Sequence, residues 1–246
     1  MQDGAEVARR EGGTAVARSA LVIGHDHVAG LGLLGPALAA HGYRPEWVTV
    51  VPAERYTTPD VDVVFPDPRS RDLVVTLGAP WPRELIRGWA AAEARFLRRA
   101  HDAGVPVLAI CFGAQLLAET LGGTTRPLGR ARIGWHRVRP LAVGLPPGPW
   151  FSWNAEQLVP PPGATILADG AVGCEGFRIG RSVGLQFHPE MDPGLLDRWL
   201  TLGVPDGLDA DRLRSDTAHR HARAAAQVGQ LITATGLLPP GPRRSC

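Results

Sequence analysis

The stretch VPVLAICFGAQLLAETLGG, residues 105–123, decides how the chain is read. Val105 to Ile110 form a continuous apolar run, the pattern of a strand buried on both faces. Gly113 to Gly123 read as a helix that stops at two glycines. Cys111 stands at the joint. A strand of a parallel sheet delivers such a residue to the carboxyl edge, where open α/β sheets bind ligands. A helix N-terminus favours negative charge, so it makes a thiolate available. Ala109 and Gly113, two before and two after, are small enough for a sharp turn from which the side chain protrudes. Alone, the stretch fits either a buried cysteine acting as a small hydrophobe or a nucleophile on a strand-to-helix elbow.

Outward from it, strand-like and helix-like segments alternate. SALVIG (19–24), EWVTVV (46–51) and DLVVTLG (72–78) read as strands, and LGLLGPALAAHG (31–42) and RELIRGWAAAEARFLRRAHDAG (83–104) as helices. This succession predicts a mostly parallel sheet with helices on both faces. Between 124 and 190 the pieces RIGWHRVRP, GPWFSWN, GATILA, VGCEGFRIG and RSVGLQF are short and divided by Pro/Gly turns. They predict hairpins and an edge of the same sheet. Residues 193–203 and 210–234 read as closing helices. The expected organisation is one α/β domain over 19–236, with flexible tails at 1–18 and 237–246.

Composition narrows the class. The 246 residues are 44% hydrophobic and 20% charged, with a formal net charge of +2. That is an ordinary globular balance, large enough for a sizeable core. No basic run interleaved with aromatics points to nucleic acid. No apolar run approaches the roughly 20 residues of a membrane span, and residues 1–20 lack a signal-peptide core. Cys111, Cys174 and Cys246 form neither a disulfide framework nor a zinc pattern, so a reducing cytoplasm is the expected setting. Arg far exceeds Lys, and Ala, Gly and Pro are plentiful, a coding bias and not a function. Trp81, Trp89, Trp135, Trp150, Trp153 and Trp199 are expected in the core or in a pocket wall, and Cys174 in a structural role.

A thiolate needs a base and a group to orient it. GLQFHPEM, residues 184–191, offers His188, where the strand SVGLQF is expected to end, and Glu190 just after it. Two apart on extended backbone they point the same way, so the carboxylate reaches one ring nitrogen and the other faces the sulfur. Alone, the segment reads more readily as a surface His-Pro-Glu turn. VVTLGAPW (74–81) ends a buried strand at Gly78-Ala79-Pro80, where backbone N–H groups can meet a developing oxyanion. The second donor is the N–H of Phe112. His25 and His27 share a face after the first strand without a third metal ligand. His219 and His221 diverge on a helix.

In this order the three pieces resemble the class I, triad-type glutamine amidotransferases, over roughly residues 20–235. VPVLAICFGAQLLAETLGG carries the nucleophile position at Cys111, GLQFHPEM carries His188 and Glu190, and DLVVTLGAPW occupies the oxyanion loop. RIGWHRV, GPWFSW, PPGATILA and GFRIGRSVGLQFHPE look most like the stand-alone, GMP-synthase-like subgroup. The resemblance implies a flavodoxin-like single domain. It also implies attack of Cys111 on the glutamine side-chain amide, an oxyanion held by Gly78 and Phe112, proton transfer through His188, and a γ-glutamyl thioester hydrolysed by water. Gln115 and Ala79 are the implied substrate contacts, and no metal or organic cofactor is needed.

The chain departs from the family at Ala109, at Gly113-Ala114-Gln115, at Trp153-Asn154-Ala155-Glu156 where the subgroup has Trp-His-x-Asp, and at Glu175-Gly176-Phe177 where Gln-Ala-Phe is usual. Trp153, Asn154 and Glu175 are therefore the residues expected to set the acyl donor. Three functions follow. The first is a glutamine-hydrolysing subunit that passes ammonia to a separate synthetase, since the chain has no P-loop. The second is a stand-alone hydrolase of γ-glutamyl amides or a specialised metabolite. The third is a non-catalytic binding or regulatory partner.

Overall fold

Apolar strands of a parallel sheet need cover on both faces, and the computed structural model, which describes residues 17–238, shows how this chain supplies it. In chain order the elements are β1 (Arg18–Gly24), α1 (Leu34–Ala40), β2 (Tyr43–Thr49), β3 (Leu73–Thr76), α2 (Arg87–Asp102), β4 (Val107–Ile110) and α3 (Phe112–Thr120). Then follow β5 (Thr124–His136), β6 (Val138–Pro140), β7 (Trp150–Val159), β8 (Thr165–Gly170), β9 (Gly173–Ile179), β10 (Ser182–Leu185), α4 (Pro193–Leu200) and α5 (Ala210–Ala234). Asp192 and Asp209 start α4 and α5 by accepting the N–H groups of Leu195 and Arg212.

The main sheet runs β2-β1-β3-β4-β10-β9-β8-β6. Its first five strands are parallel, and the last three continue it antiparallel. Alternate side chains feed two cores. Ala20, Val22, Val75, Leu108, Ile110 and Leu185 meet Leu34 and Leu38 of α1 and Val228, Leu231 and Ile232 of α5. Leu21, Ile23, Val74, Val107 and Ala109 meet Trp89, Phe96 and Leu97 of α2 and Leu117 of α3. Each such large side chain, fully buried, stabilises the fold by about 1.5–3 kcal/mol. The sheet turns in opposite directions from β1, with β2 on one side and β3 on the other. The loops after β1 and β3 therefore diverge and leave a crevice at the carboxyl ends of the strands. β4 ends beside it.

Three expectations need correction. The segments from 124 to 190 do not all join one sheet. β5 and β7 leave it as a two-stranded antiparallel ribbon, from Thr124↔Val159 to His136↔Trp150, with a register shift between Pro127 and Arg132. β6 lies between them in sequence, so no local hairpin signal marks the pair. A third apolar cluster of Phe151, Met191, Leu195, Leu196, Leu200 and Leu213 seats the ribbon on α4 and α5. The last strand ends at Leu185 and not at His188. Of the expected C-terminal tail, Leu237 and Leu238 are buried in the first core. The rest of that tail and residues 1–16 lie outside the described residues.

The close packing of α3 on β3 makes a prediction. A Cβ at Gly113 would sit 2.8 Å from the carbonyl oxygen and side chain of Thr76, whereas one at Gly129 meets nothing within 4 Å. Gly113→Ala lowers stability by about 1–3 kcal/mol, and Gly129→Ala changes it by less than about 0.5 kcal/mol, as read by denaturant unfolding.

Candidate active site

Cys111 has φ 52° and ψ −108°, the one non-glycine residue with positive φ among the described residues. β-carbon-bearing residues avoid this region at a cost of about 1–3 kcal/mol, so the surrounding structure must impose it. The imposition is visible. The Cys111 N–H donates to the Leu185 carbonyl of β10 at 2.8 Å, and the Gly113 N–H donates to the Leu77 carbonyl after β3 at 3.1 Å. Those two bonds fix the elbow from both neighbouring strands. The side chain is only 6% exposed and lies in the wall of a cavity of about 490 Å³.

His188 and Glu190 share that cavity, and both are buried. The His188 Nδ1 donates to Glu190 Oε1 at 2.7 Å. The other ring nitrogen, Nε2, is buried without a hydrogen-bond partner. Burial pulls the ring's pKa down, but the charges of Glu190 and Cys111 outweigh it and hold it well above the ordinary imidazole value. The pair meets for a reason other than the extended backbone expected. His188 forms an isolated bridge with Phe151 of β7, its N–H donating to the Phe151 carbonyl at 2.7 Å, and Pro189-Glu190 then turn back. Trp199 of α4 packs edge-on against the imidazole with centroids 4.9 Å apart. The Leu33 N–H donates to the Glu190 carbonyl at 2.9 Å, and a Cβ on Gly32 (φ +40°) would overlap that carbonyl.

Gly78 lies between the candidate base and thiol. A Cβ there would stand 3.0 Å from His188 Cε1 and 3.7 Å from Cys111 Cβ, so a side chain would press on the imidazole. Phe112 is the first residue of α3, and the first N–H groups of a helix have no intrahelical acceptor. Ala79, Gln115, Trp153 and Asn154 line the cavity. The Gln115 and Asn154 side-chain amides both donate to the Glu156 carbonyl, at 3.0 and 2.8 Å, and Asn154 Oδ1 is left buried without a partner.

Glu175 is placed elsewhere. Its carboxylate is buried against Arg132 of the ribbon at 2.7 Å and is not part of the cavity wall. Its strand is antiparallel to β10, and there the side chain faces the ribbon's guanidinium. Of the tryptophans, Trp81, Trp153 and Trp199 line the cavity while Trp89 and Trp150 are core. Cys174 is pushed up to about 12 by burial. His25 and His27 do not share a face: the backbone bends at 25–26, His25 is fully buried, and His27 is exposed beside Tyr56. Among the described residues no group of His, Cys, Asp and Glu could hold a metal ion, and no helix is long and apolar enough to cross a membrane.

Sequence reading missed Gln186, whose Oε1 accepts the Leu158 N–H at 2.9 Å and whose amide nitrogen lies 4.0 Å from the Cys111 sulfur. Its place two residues before His188 was the available signal. It also missed Arg83 and Tyr56 in the cavity wall and Glu93 behind it.

Comparison with known proteins agrees with this architecture. A family model described as glutamine amidotransferase class-I matches residues 48–201. Over 102 residues the chain is 37% identical to the GMP synthase (glutamine-hydrolyzing) of Thermus thermophilus, a match that takes in 38% of this chain and 20% of that protein. The chain thus spans about a fifth of the length of that curated relative. The crystal structure of a glutamine amido transferase from Methylobacillus flagellatus superposes with a TM-score of 0.75 at 21% identity, covering 94% of this chain and 99% of that one. A glutamine amidotransferase from Thermotoga maritima gives 0.74 at 22% identity, covering 87% and 96%. At these identities the two structures show a shared fold.

Glu190 is the first charge that raises His188. In Glu190→Gln the His188 titration, followed by NMR of the ring nitrogens, moves to lower pH by about 1–3 units. An unmoved midpoint would mean that the carboxylate does not set the ring's charge.

Proposed function

The chain belongs to the class-I glutamine amidotransferases, and we propose from that premise and the cavity's geometry that it hydrolyses the side-chain amide of glutamine through a γ-glutamyl thioester. The observation that carries the reading is the strained backbone at Cys111, whose side chain shares one cavity with a hydrogen-bonded His188–Glu190 pair. Strain of this kind clusters at active sites and ligand clamps.

The Cys111 thiolate attacks the amide carbon, with its proton held by His188 Nε2. Charge develops on the carbonyl oxygen and is met by the N–H groups of Gly78 and Phe112, donors that need no reorganisation as the bond forms. His188 then gives its proton to the leaving nitrogen, the C–N bond breaks, and ammonia departs. A water, deprotonated by the same nitrogen, attacks the thioester. The C–S bond breaks, the proton returns to the thiolate, and glutamate leaves. Glu190 holds the imidazole in one tautomer throughout and stabilises its charged form. Gln115, Ala79, Trp153 and Asn154 surround the substrate.

The ammonia is consumed by a separate acceptor enzyme. The curated relative is named as a glutamine-hydrolysing synthase, which supports coupling of glutamine hydrolysis to an ammonia-consuming reaction. The broader γ-glutamyl amide reading loses one of its two supports, since Glu175 pairs with Arg132 away from the cavity. It now rests on Asn154 alone, whose free Oδ1 is an acceptor in the wall.

The test is glutamate release from L-glutamine by the purified chain, with γ-glutamyl amides assayed beside it. Glutamine turnover that falls by about 10³-fold or more in Cys111→Ala is expected. Turnover of a γ-glutamyl amide well above glutamine would transfer the reading to the second function. Turnover that survives the substitution would remove Cys111 as nucleophile.

A further inference from the structure

Behind the cavity wall lies a buried ionisable pair that the proposed steps do not use. His25, at the end of β1, has no solvent exposure, and neither has Glu93 of α2. The His25 Nε2 lies 2.8 Å from Glu93 Oε2, and its Nδ1 lies 2.9 Å from the Gly78 carbonyl oxygen. The second carboxylate oxygen, Glu93 Oε1, accepts the Thr76 hydroxyl at 2.6 Å. The imidazole stacks on Trp89 with centroids 5.0 Å apart, and the Phe112 ring lies roughly perpendicular to it at the same distance.

The proton count on this ring is constrained. A carbonyl oxygen only accepts, so Nδ1 must carry a proton. One proton between Nε2 and Glu93 Oε2 completes the second bond, from whichever side it is carried. Glu93 therefore holds the ring so that Nδ1 faces Gly78. Burial opposes the charged ring, and the Glu93 charge and hydrogen bond outweigh it. Unlike a lone buried histidine, this one is tied to both residues proposed as oxyanion donors: by hydrogen bond to Gly78 and by ring contact to Phe112.

The loop geometry shows what that tie controls. The Leu77 carbonyl is held by the Gly113 N–H and the Leu77 N–H by the Ile23 carbonyl. The peptide before Gly78 is thus fixed, while the peptide after it is held by His25. Glycine has the widest backbone freedom of any residue, and nothing in its side chain resists rotation here. We propose that His25 and Glu93 are positioning residues: they lock the peptide between Gly78 and Ala79, which carries the Ala79 N–H, and seat Phe112, and so hold this loop and the start of α3 in place beside Cys111. The inference rests on the thiol acting as a nucleophile in the way described, and it does not require glutamine as the donor.

Two reagents separate the roles. Acylation of Cys111 by p-nitrophenyl acetate passes through a tetrahedral oxyanion, whereas alkylation by iodoacetamide is a displacement that forms none. Both rates are measured on the intact chain and on His25→Leu, which removes the donor to Gly78 at similar volume, with Cys111→Ala as background and Glu93→Leu, which removes the partner that holds the imidazole, as a second variant. Melting curves confirm folding. The expected result is acylation slower by about tenfold or more with alkylation within about twofold of the parent. Equal loss of both rates, or no loss of either, in both variants would overturn the positioning role while leaving the nucleophile intact. A parent chain whose Cys111 reacts with neither reagent would overturn the nucleophile reading and this inference with it.

Discussion

A cysteine at φ 52° is held there by its neighbours, and most of the architecture can be understood as the holding. The elbow needs β10 to accept the Cys111 N–H and the end of β3 to accept the Gly113 N–H. It needs glycine at 113, because Thr76 already fills the space a side chain would take. It needs strands short enough that β3, β4 and β10 all end at one level. A parallel sheet covered by helices on both faces meets those needs at once. Strain of about 1–3 kcal/mol is small against the burial of the strands' apolar residues, so the fold can keep it.

The same economy governs the charged groups. Three buried ionisable residues have a charged partner: His188 has Glu190 and His25 has Glu93 beside the cavity, and Glu175 has Arg132 away from it. An unpaired charge in these positions would shift its pKa until it was neutral. Paired, the groups stay polar and directional inside an otherwise apolar body. The aromatic residues Phe151, Trp153 and Trp199 pack on one side of His188, and Trp89 and Phe112 flank His25. Rings of this size fix an imidazole plane more firmly than aliphatic packing does.

What the sequence made legible was whatever lay contiguous in it. The elbow at 105–123 could be read because strand, cysteine and helix follow one another, and α5 because its pattern persists over 25 residues. His188 and Glu190 were found as a pair, but on the wrong geometric ground: a turn, and not strand alternation, brings them together. Contacts between distant segments were invisible. The β5–β7 ribbon skips a strand. Glu175 looks like a pocket residue only until Arg132 is seen across from it. His25 and His27 seemed to share a face because two-residue spacing was applied where the backbone bends. Glu93, inside an ordinary amphipathic helix, carried no local mark at all.

The contact of Gly32 and Leu33 with the Glu190 carbonyl has a topological meaning. The loop after the first strand seats the loop after the last, and Cys111 comes from the strand between them. No contiguous fragment that stops short of Glu190, or that starts beyond Gly32, contains the whole arrangement. Such high sequence separation makes these contacts late and slow to form. The site is a closure point of the chain, completed by the same event that completes the sheet.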